Sequence, residues 1–117
     1  MKSEDLKKRT KDFAHRCVKL AMSLPRIKLG IHIEGQLIRC STSVAANYRA
    51  SCIAISKASF VSKISIVLEE IDESCFWLEF IIDENLLDLA LVTPLLKEAK
   101  ELTAIFYTSR KTARNKE

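Results

Sequence analysis

Apolar residues recur at three- and four-residue steps through most of this chain of 117 residues, the period of an amphipathic α-helix. The clearest run is Ser56–Asp83, where Phe60, Ile64, Val67, Ile71, Cys75, Leu78 and Ile82 share one stripe. The run holds no Gly or Pro and is far longer than the roughly ten residues that bound an ordinary strand. Ser56 supplies an N-cap, with Ser59 placed to help satisfy the first turn. The second half, Cys75–Ile82, has Glu79 as its single polar residue. A helix that is apolar on every side is normally buried on every side, and a small domain cannot easily surround one helix. This stretch asks for a partner.

Three further helices follow from the same period. The first is predicted from about Ser3 to Leu24, with Leu6, Phe13, Cys17, Leu20 and Leu24 on one stripe and Lys8, Lys11, His15 and Lys19 on the opposite face. Pro25 ends it, because proline disfavours a helical conformation in the residue before it. Arg26–Ile31 reads as a connector around Gly30. The second helix is expected from about His32 to Ala50, its stripe being Ile33, Leu37, Cys40, Val44 and Tyr48. Ser41, Thr42 and Ser43 fall in its middle, where hydroxyls compete for backbone hydrogen bonds; a bend there and a continuous, closely packed helix are both compatible with the sequence. After the long third helix, Glu84–Val92 reads as a loop. The fourth helix is expected to open with Thr93 as N-cap and Pro94 in the first helical position. Its stripe is Leu95, Ala99, Leu102, Phe106 and Ser109. The pattern therefore predicts an all-α, up-and-down four-helix bundle over residues 1–110, followed by a polar, frayed tail at 111–117.

Composition supports this reading. Hydrophobic residues make up 48% and charged residues 29% of the chain, which is ordinary for one globular domain. Two glycines and two prolines are too few for a turn-rich sheet fold. No run approaches the roughly 18 apolar residues of a membrane span, and the opening MKSEDLKKRTKD is too charged for a signal peptide. The expected compartment is the cytoplasm, with no membrane partner. Cys17, Cys40, Cys52 and Cys75 form no CxxC pair, and three of them lie on core stripes. They are expected to be reduced thiols acting as small core hydrophobes.

The net charge of +4 is mild, but its distribution is uneven. Eight of the 15 acidic residues lie between Glu69 and Asp88, whereas basic residues crowd both ends of the chain. Two surfaces follow. On the third helix, Ile66, Glu69, Glu73, Phe76, Trp77 and Phe80 fall away from the core stripe, as aromatic anchors with a charged rim would at a subunit interface. The competing arrangement has the first and last helices wrapping widely enough to cover these rings within one subunit. On the first helix, Lys8, Lys11 and Lys19, flanked by Arg9 and Arg16, could contact phosphates of RNA or DNA, with Arg110, Lys111 and Arg114 adding to them. The plainer alternative is a solvated face. No aromatic residue is interleaved with these basic ones, so base stacking is not indicated.

The remaining chemistry is sparse. Glu69, Glu70, Asp72 and Glu73 crowd one turn and a half, but no Glu-x-x-His pair accompanies them, so a di-iron centre is not expected. Arg39 is a candidate partner for Glu70 or Glu73, but it projects away from the core stripe of the second helix, which suits an interface or surface role at least as well. No serine or cysteine has a base at recognisable spacing, and no Gly-rich phosphate loop occurs. The sequence predicts a protein without enzymatic activity, metal or cofactor.

Three segments together carry a family resemblance: the charged opening helix, GQLIRCSTSVAANYRAS (Gly35–Ser51) and SKASFVSKISIVLEEIDESCFWLEFI (Ser56–Ile81). They resemble the four-helix-bundle proteins named for 23S rRNA intervening sequences, once catalogued as a ribosomal protein. The family pattern places Gln36, Leu37, Arg39, Ser43, Val44, Ala46 and Asn47 in the second helix. In the third it places Ser56, Lys57, Phe60, Lys63 and Ile64, then Glu70, Glu73, Ser74, Phe76, Trp77 and Leu78. Cys40 stands where the family usually has Ser or Ala, and Tyr48-Arg49 departs from the common Ile-Ala/Glu. The likeness extends over most of residues 6–106. It implies a ring, typically a homopentamer, without enzymatic activity. Through the similar accessory proteins of diversity-generating retroelements, it implies binding to nucleic acid and to a reverse transcriptase.

Overall fold

A computed structural model of the chain describes residues 1–116. Among these residues there are four α-helices and no strand: α1 (Ser3–Met22), α2 (Lys28–Ser51), α3 (Lys57–Asp83) and α4 (Leu89–Asn115). Each link is five residues long, which forces consecutive helices to run antiparallel. α2 packs closely on α1 and on α3, and α3 on α4; the α4–α1 seam is looser and closes the bundle. The result is a rod of 50 × 20 × 20 Å.

The predicted stripes form its core. Phe13, Cys17, Ile33, Leu37, Cys40, Val44, Ile64, Val67, Ile71, Leu78, Leu102 and Phe106 are completely buried. On α3 the stripe ends on buried Ile81 rather than on Ile82, which is half-buried. Buried hydroxyls find partners within their own helices. Thr10 Oγ1 donates to the Leu6 carbonyl at 2.8 Å, Ser51 Oγ to Tyr48 at 2.6 Å and Ser74 Oγ to Glu70 at 2.9 Å. The same back-bonding resolves the Ser41–Ser43 question. Thr42 Oγ1 donates to the Ile38 carbonyl at 2.7 Å, and α2 continues unbroken through the segment.

Helix boundaries depart from expectation at two links. α2 starts at Lys28, one turn before the predicted His32, so Gly30 lies inside its first turn. Gly30 is buried, and a Cβ there would sit 1.9 Å from the Pro25 carbonyl oxygen. The glycine is required by the close approach of the preceding link to the helix, and it does not break the chain. α4 likewise starts at Leu89, five residues before Pro94. The cause is Val92, completely buried, which extends the core stripe back by one step. Pro94 and Ala90 are both exposed. The carbonyl that Pro94 leaves without its usual donor can therefore be met by water. Asn85, the one non-glycine residue with positive φ (52°) among the described residues, makes the turn out of α3. Asn85 N–H donates to the Ile82 carbonyl and Leu86 N–H to the Ile81 carbonyl, both at 3.1 Å. This is the Schellman arrangement, in which a left-handed residue lets the last carbonyls of a helix be satisfied. At the C-terminus, α4 continues to Asn115, so the residues expected to fray from 111 onward are helical for more than a further turn; Glu117 lies outside the described residues.

The looser α4–α1 seam is held by charge. Arg9 forks onto Glu98 with two hydrogen bonds of 2.7 Å and reaches Glu101 at 3.0 Å. The Arg9 and Glu98 side chains are largely buried, and these hydrogen bonds raise the guanidinium pKa.

Gly30→Ala should destabilise the fold by about 1–3 kcal/mol, the usual cost of overpacking, because the obstructing atom is backbone. Chemical denaturation of the purified variant measures this, and an unchanged midpoint would show that the link moves freely away from α2.

Candidate functional site

No concave, enclosed centre dominates the molecule. Among the features able to engage something else are side chains at the surface of α3 and two grooves beside α1.

On α3, the stripe at 64, 67, 71, 74, 75, 78 and 81 faces inward. Phe76, Trp77 and Phe80 therefore lie off its axis. The rings touch one another, with centroid separations of 4.9 Å for Phe76–Trp77, 5.8 Å for Phe76–Phe80 and 6.0 Å for Trp77–Phe80. Their surroundings differ. Trp77 is half-buried and meets His32 of α2 edge-on at 5.5 Å. Phe80 is half-buried against the core, and Phe76 is 50% exposed. Phe76 and Phe80 border a shallow recess with Ile82 and with Leu96 of α4, edged by Glu79 and Asp83. Ile66 is half-buried and Glu69 is exposed. Of the six residues expected to meet a neighbouring subunit, Phe76 and Glu69 present the most free surface. Trp77 and Phe80 are partly wrapped by their own chain, Phe80 beside Leu96 of the last helix but Trp77 by His32 of α2 rather than by the first or last helix that the competing arrangement invoked.

Glu73 is engaged inside the subunit. Arg39 of α2 bridges Glu70 at 3.1 Å and also donates to Glu73 Oε2. The same carboxylate oxygen accepts from Trp77 Nε1 at 3.3 Å. Arg39 holds the Glu73 carboxyl below the usual carboxylate range, and Trp77 acts in the same direction. The predicted Arg39 pairing thus ties α2 to α3 and fixes the orientation of the only tryptophan.

The basic residues divide into separate sets. Lys8 and Lys11 border an open groove of about 810 Å³ between α1 and α2. Its floor is Ala14, Ala45, Ala46 and Thr42, and its rim adds Lys7, His15 and Arg49, with Glu4 as the single acid. Lys8 also pairs with Asp12 at 3.0 Å in a solvated setting. Arg16 and Lys19 border the α1–α4 side instead, beside Asp12 and Glu98. Arg9 cannot serve the phosphate role expected of it, because its guanidinium is engaged by Glu98 and Glu101. Arg110 is half-buried, lies 3.4 Å from Ser65 Oγ and stands over the Tyr107 ring at 5.8 Å. Lys111 and Arg114 are exposed near the end of α4. Sequence reasoning missed Arg49 and Lys7. Both join the groove only because α1 and α2 lie side by side, and the rim spacing along α1 (Lys7, Lys8, Lys11, His15) was the available signal.

The thiols sit apart from these surfaces. Cys17, Cys40 and Cys75 are buried and all four cysteines are unpaired. Burial pushes the Cys40 and Cys75 thiols up to about 11 and Cys17 further still, so none of these three buried thiols is a ready nucleophile. No group of His, Cys, Asp and Glu able to hold a metal ion occurs among the described residues. No helix among them is long and apolar enough to cross a membrane.

The model of the 23S rRNA-intervening sequence protein family matches residues 2–108. The chain belongs to this family. A crystal structure of a Bacteroides thetaiotaomicron protein of unknown function, from the S23 ribosomal protein family, superposes with a TM-score of 0.86 at 28% identity. That likeness covers 95% of this chain and 99% of the other, so the two share the whole fold. No curated protein matches the chain. Membership agrees with the resemblance carried by Gly35–Ser51 and Ser56–Ile81.

The Arg39–Glu73–Trp77 network has a spectroscopic consequence. Glu73 titrates below its unfolded value, so its contribution to stability is present above the ordinary glutamate range and is lost as pH falls through the lowered folded value. The acid transition in Trp77 fluorescence should lie below the ordinary glutamate pKa of about 4.3. In Arg39→Met it should move upward. A midpoint indifferent to that substitution would break the assignment.

Proposed function

We propose that this member of the 23S rRNA-intervening sequence protein family is a non-enzymatic, cytoplasmic scaffold that assembles with copies of itself, with a pentameric ring the favoured form. The observation that carries this reading is Phe76. A large aromatic ring half open to solvent, touching two further rings and flanked by Glu69, Glu79 and Asp83, has the layout of an interface anchor within a polar rim. The bundle core is complete without it, so folding of the single chain does not account for its exposure. The raised thiol pKa values support a role without covalent catalysis.

Phe76→Ala should lower the particle mass measured by light scattering while leaving the helical circular dichroism intact, because the side chain contributes little to the core. An unchanged mass would remove α3 from the interface.

A second reading has a specific observation in its favour. The α1–α2 groove gathers Lys7, Lys8, Lys11, His15 and Arg49 around a smooth alanine floor, a surface suited to a phosphate backbone of RNA or DNA. In an assembled ring this groove would be repeated, multiplying a weak contact. A protein such as a reverse transcriptase would then be a further partner. Binding measured across a salt series tests this. Reversal of Lys8, Lys11 and Arg49 should flatten the log-log slope by roughly 0.9 for each phosphate no longer neutralised. Absence of binding at low salt would exclude the reading.

A further inference from the structure

Exposed aliphatic side chains gather at the two ends of the rod. At the end formed by the α2–α3 link and the last turns of α4, Ile53 is 78% exposed and Ile55 is 99% exposed. At the opposite end, formed by the other two links, Met22, Ile27, Leu89 and Leu91 are each more than half exposed. A lone exposed aliphatic residue is ordinary, but several on one small surface mark a contact site.

The two ends carry opposite charge. Lys57, Lys111, Arg114 and Lys116 surround the isoleucine end, where the Lys57 ammonium donates to the Lys116 carbonyl and so draws the start of α3 to the end of α4. Among the described residues, Glu4 and Asp5 are the acids nearby, and Glu4 is paired with Lys7. Asp83, Glu84 and Asp88 surround the leucine end. The bases there are Lys19, Arg26 and Lys28, and Arg26 is engaged by Glu34 at 2.8 Å. The long dimension of the rod, 50 Å, keeps the two ends from meeting within one copy.

We infer that the basic, isoleucine-tipped end of one copy seats on the acidic, leucine-bearing end of another, so that bundles join head to tail. An anionic lipid surface or a nucleic-acid backbone would match the basic end alone and leave Leu89, Leu91 and their acidic neighbours unexplained. A second copy accounts for both ends with one contact. The contact is heterologous and does not close on itself along the rod axis. It is also small. An end of 20 × 20 Å is well under the roughly 800 Å² per partner of a stable complex. Each junction is therefore weak, salt-sensitive and concentration-dependent. Of the side chains around Phe76 it shares only Asp83, so it stands whether or not a ring forms.

Sedimentation velocity over a concentration series at low and high salt tests the proposal. The native chain should gain mass with concentration at low salt, in multiples of its basal particle, and lose that gain at high salt. Ile53→Asp/Ile55→Asp should abolish the gain without unfolding, since both side chains are already in water. Lys111→Glu/Arg114→Glu and Glu84→Lys/Asp88→Lys should each fail to grow alone, and their mixture should grow again, because the reversed ends are complementary. Phe76→Ala should leave the growth intact even where it reduces the basal particle. A native mass independent of concentration at low salt would overturn the proposal. So would growth that survives in Ile53→Asp/Ile55→Asp, or binding of anionic vesicles or RNA by the isoleucine end without self-association.

Discussion

A bundle only 20 Å across has one interior line, so each of its helices can bury a single stripe. Everything else in this molecule follows from that limit. The four stripes are filled mainly by Leu, Ile, Val, Phe, Cys and Ala, with Tyr48 the one buried tyrosine, and the buried hydroxyls of Thr10, Ser51 and Ser74 turn back onto their own helices. Apolar side chains that fall off the stripe cannot be drawn in without displacing others from a close-packed core. Phe76, Ile53, Ile55, Leu89 and Leu91 are thus left on the outside by geometry. Their burial, where it occurs, has to come from another molecule.

The same limit sorts the charges. Where two helices pack closely, apolar contact suffices. Where they do not, at the α4–α1 seam, Arg9 spans the distance and is held by two glutamates. Arg39 plays a comparable part between α2 and α3, and through Glu73 it fixes Trp77. These two arginines are structural, so neither is free for a ligand. What remains basic and accessible is set apart in space: a groove between α1 and α2, a narrower strip along α1 and α4, and the C-terminal turns of α4. A formal net charge of +4 would have given no hint of this division.

Much of the fold was legible in the sequence because helical period and core burial are the same physical fact. The stripes at Leu6–Leu24, Ile33–Tyr48 and Phe60–Leu78 predicted the buried residues almost one for one. The misplaced boundaries share a cause. Gly30 and Pro94 are strong local signals, and each was outweighed by a tertiary demand. The Pro25 carbonyl needs a residue without a Cβ beside it, and Val92 needs to be helical to reach the core. Neither demand exists until the helices are side by side. The surfaces were legible to a lesser degree. Helical-wheel geometry singled out Phe76, Trp77 and Phe80 as a group, but it could not say that His32 would cover Trp77 and leave Phe76 open. Nor could it assign Arg9 to Glu98 and Glu101, which lie 89 and 92 residues away.

Lateral and axial contacts make different demands on such a rod, and the side chains divide along that line. The flank of α3 offers aromatic rings, which give large contact area for few rotatable bonds, in a setting where neighbouring bundles could lie along much of a 27-residue helix. The ends offer only aliphatic tips and charges on a small cross-section, suited to a reversible junction. A cationic groove between α1 and α2 occupies a third direction. If a neighbouring copy filled that groove, Lys8 and Lys11 would be withdrawn from any phosphate. Assembly through the α1 side and nucleic-acid binding there are therefore mutually exclusive uses of one surface, whereas assembly that leaves the groove open would concentrate its charge. The side of a neighbouring copy against which Phe76 packed would thus decide which of the two roles the basic residues could fulfil.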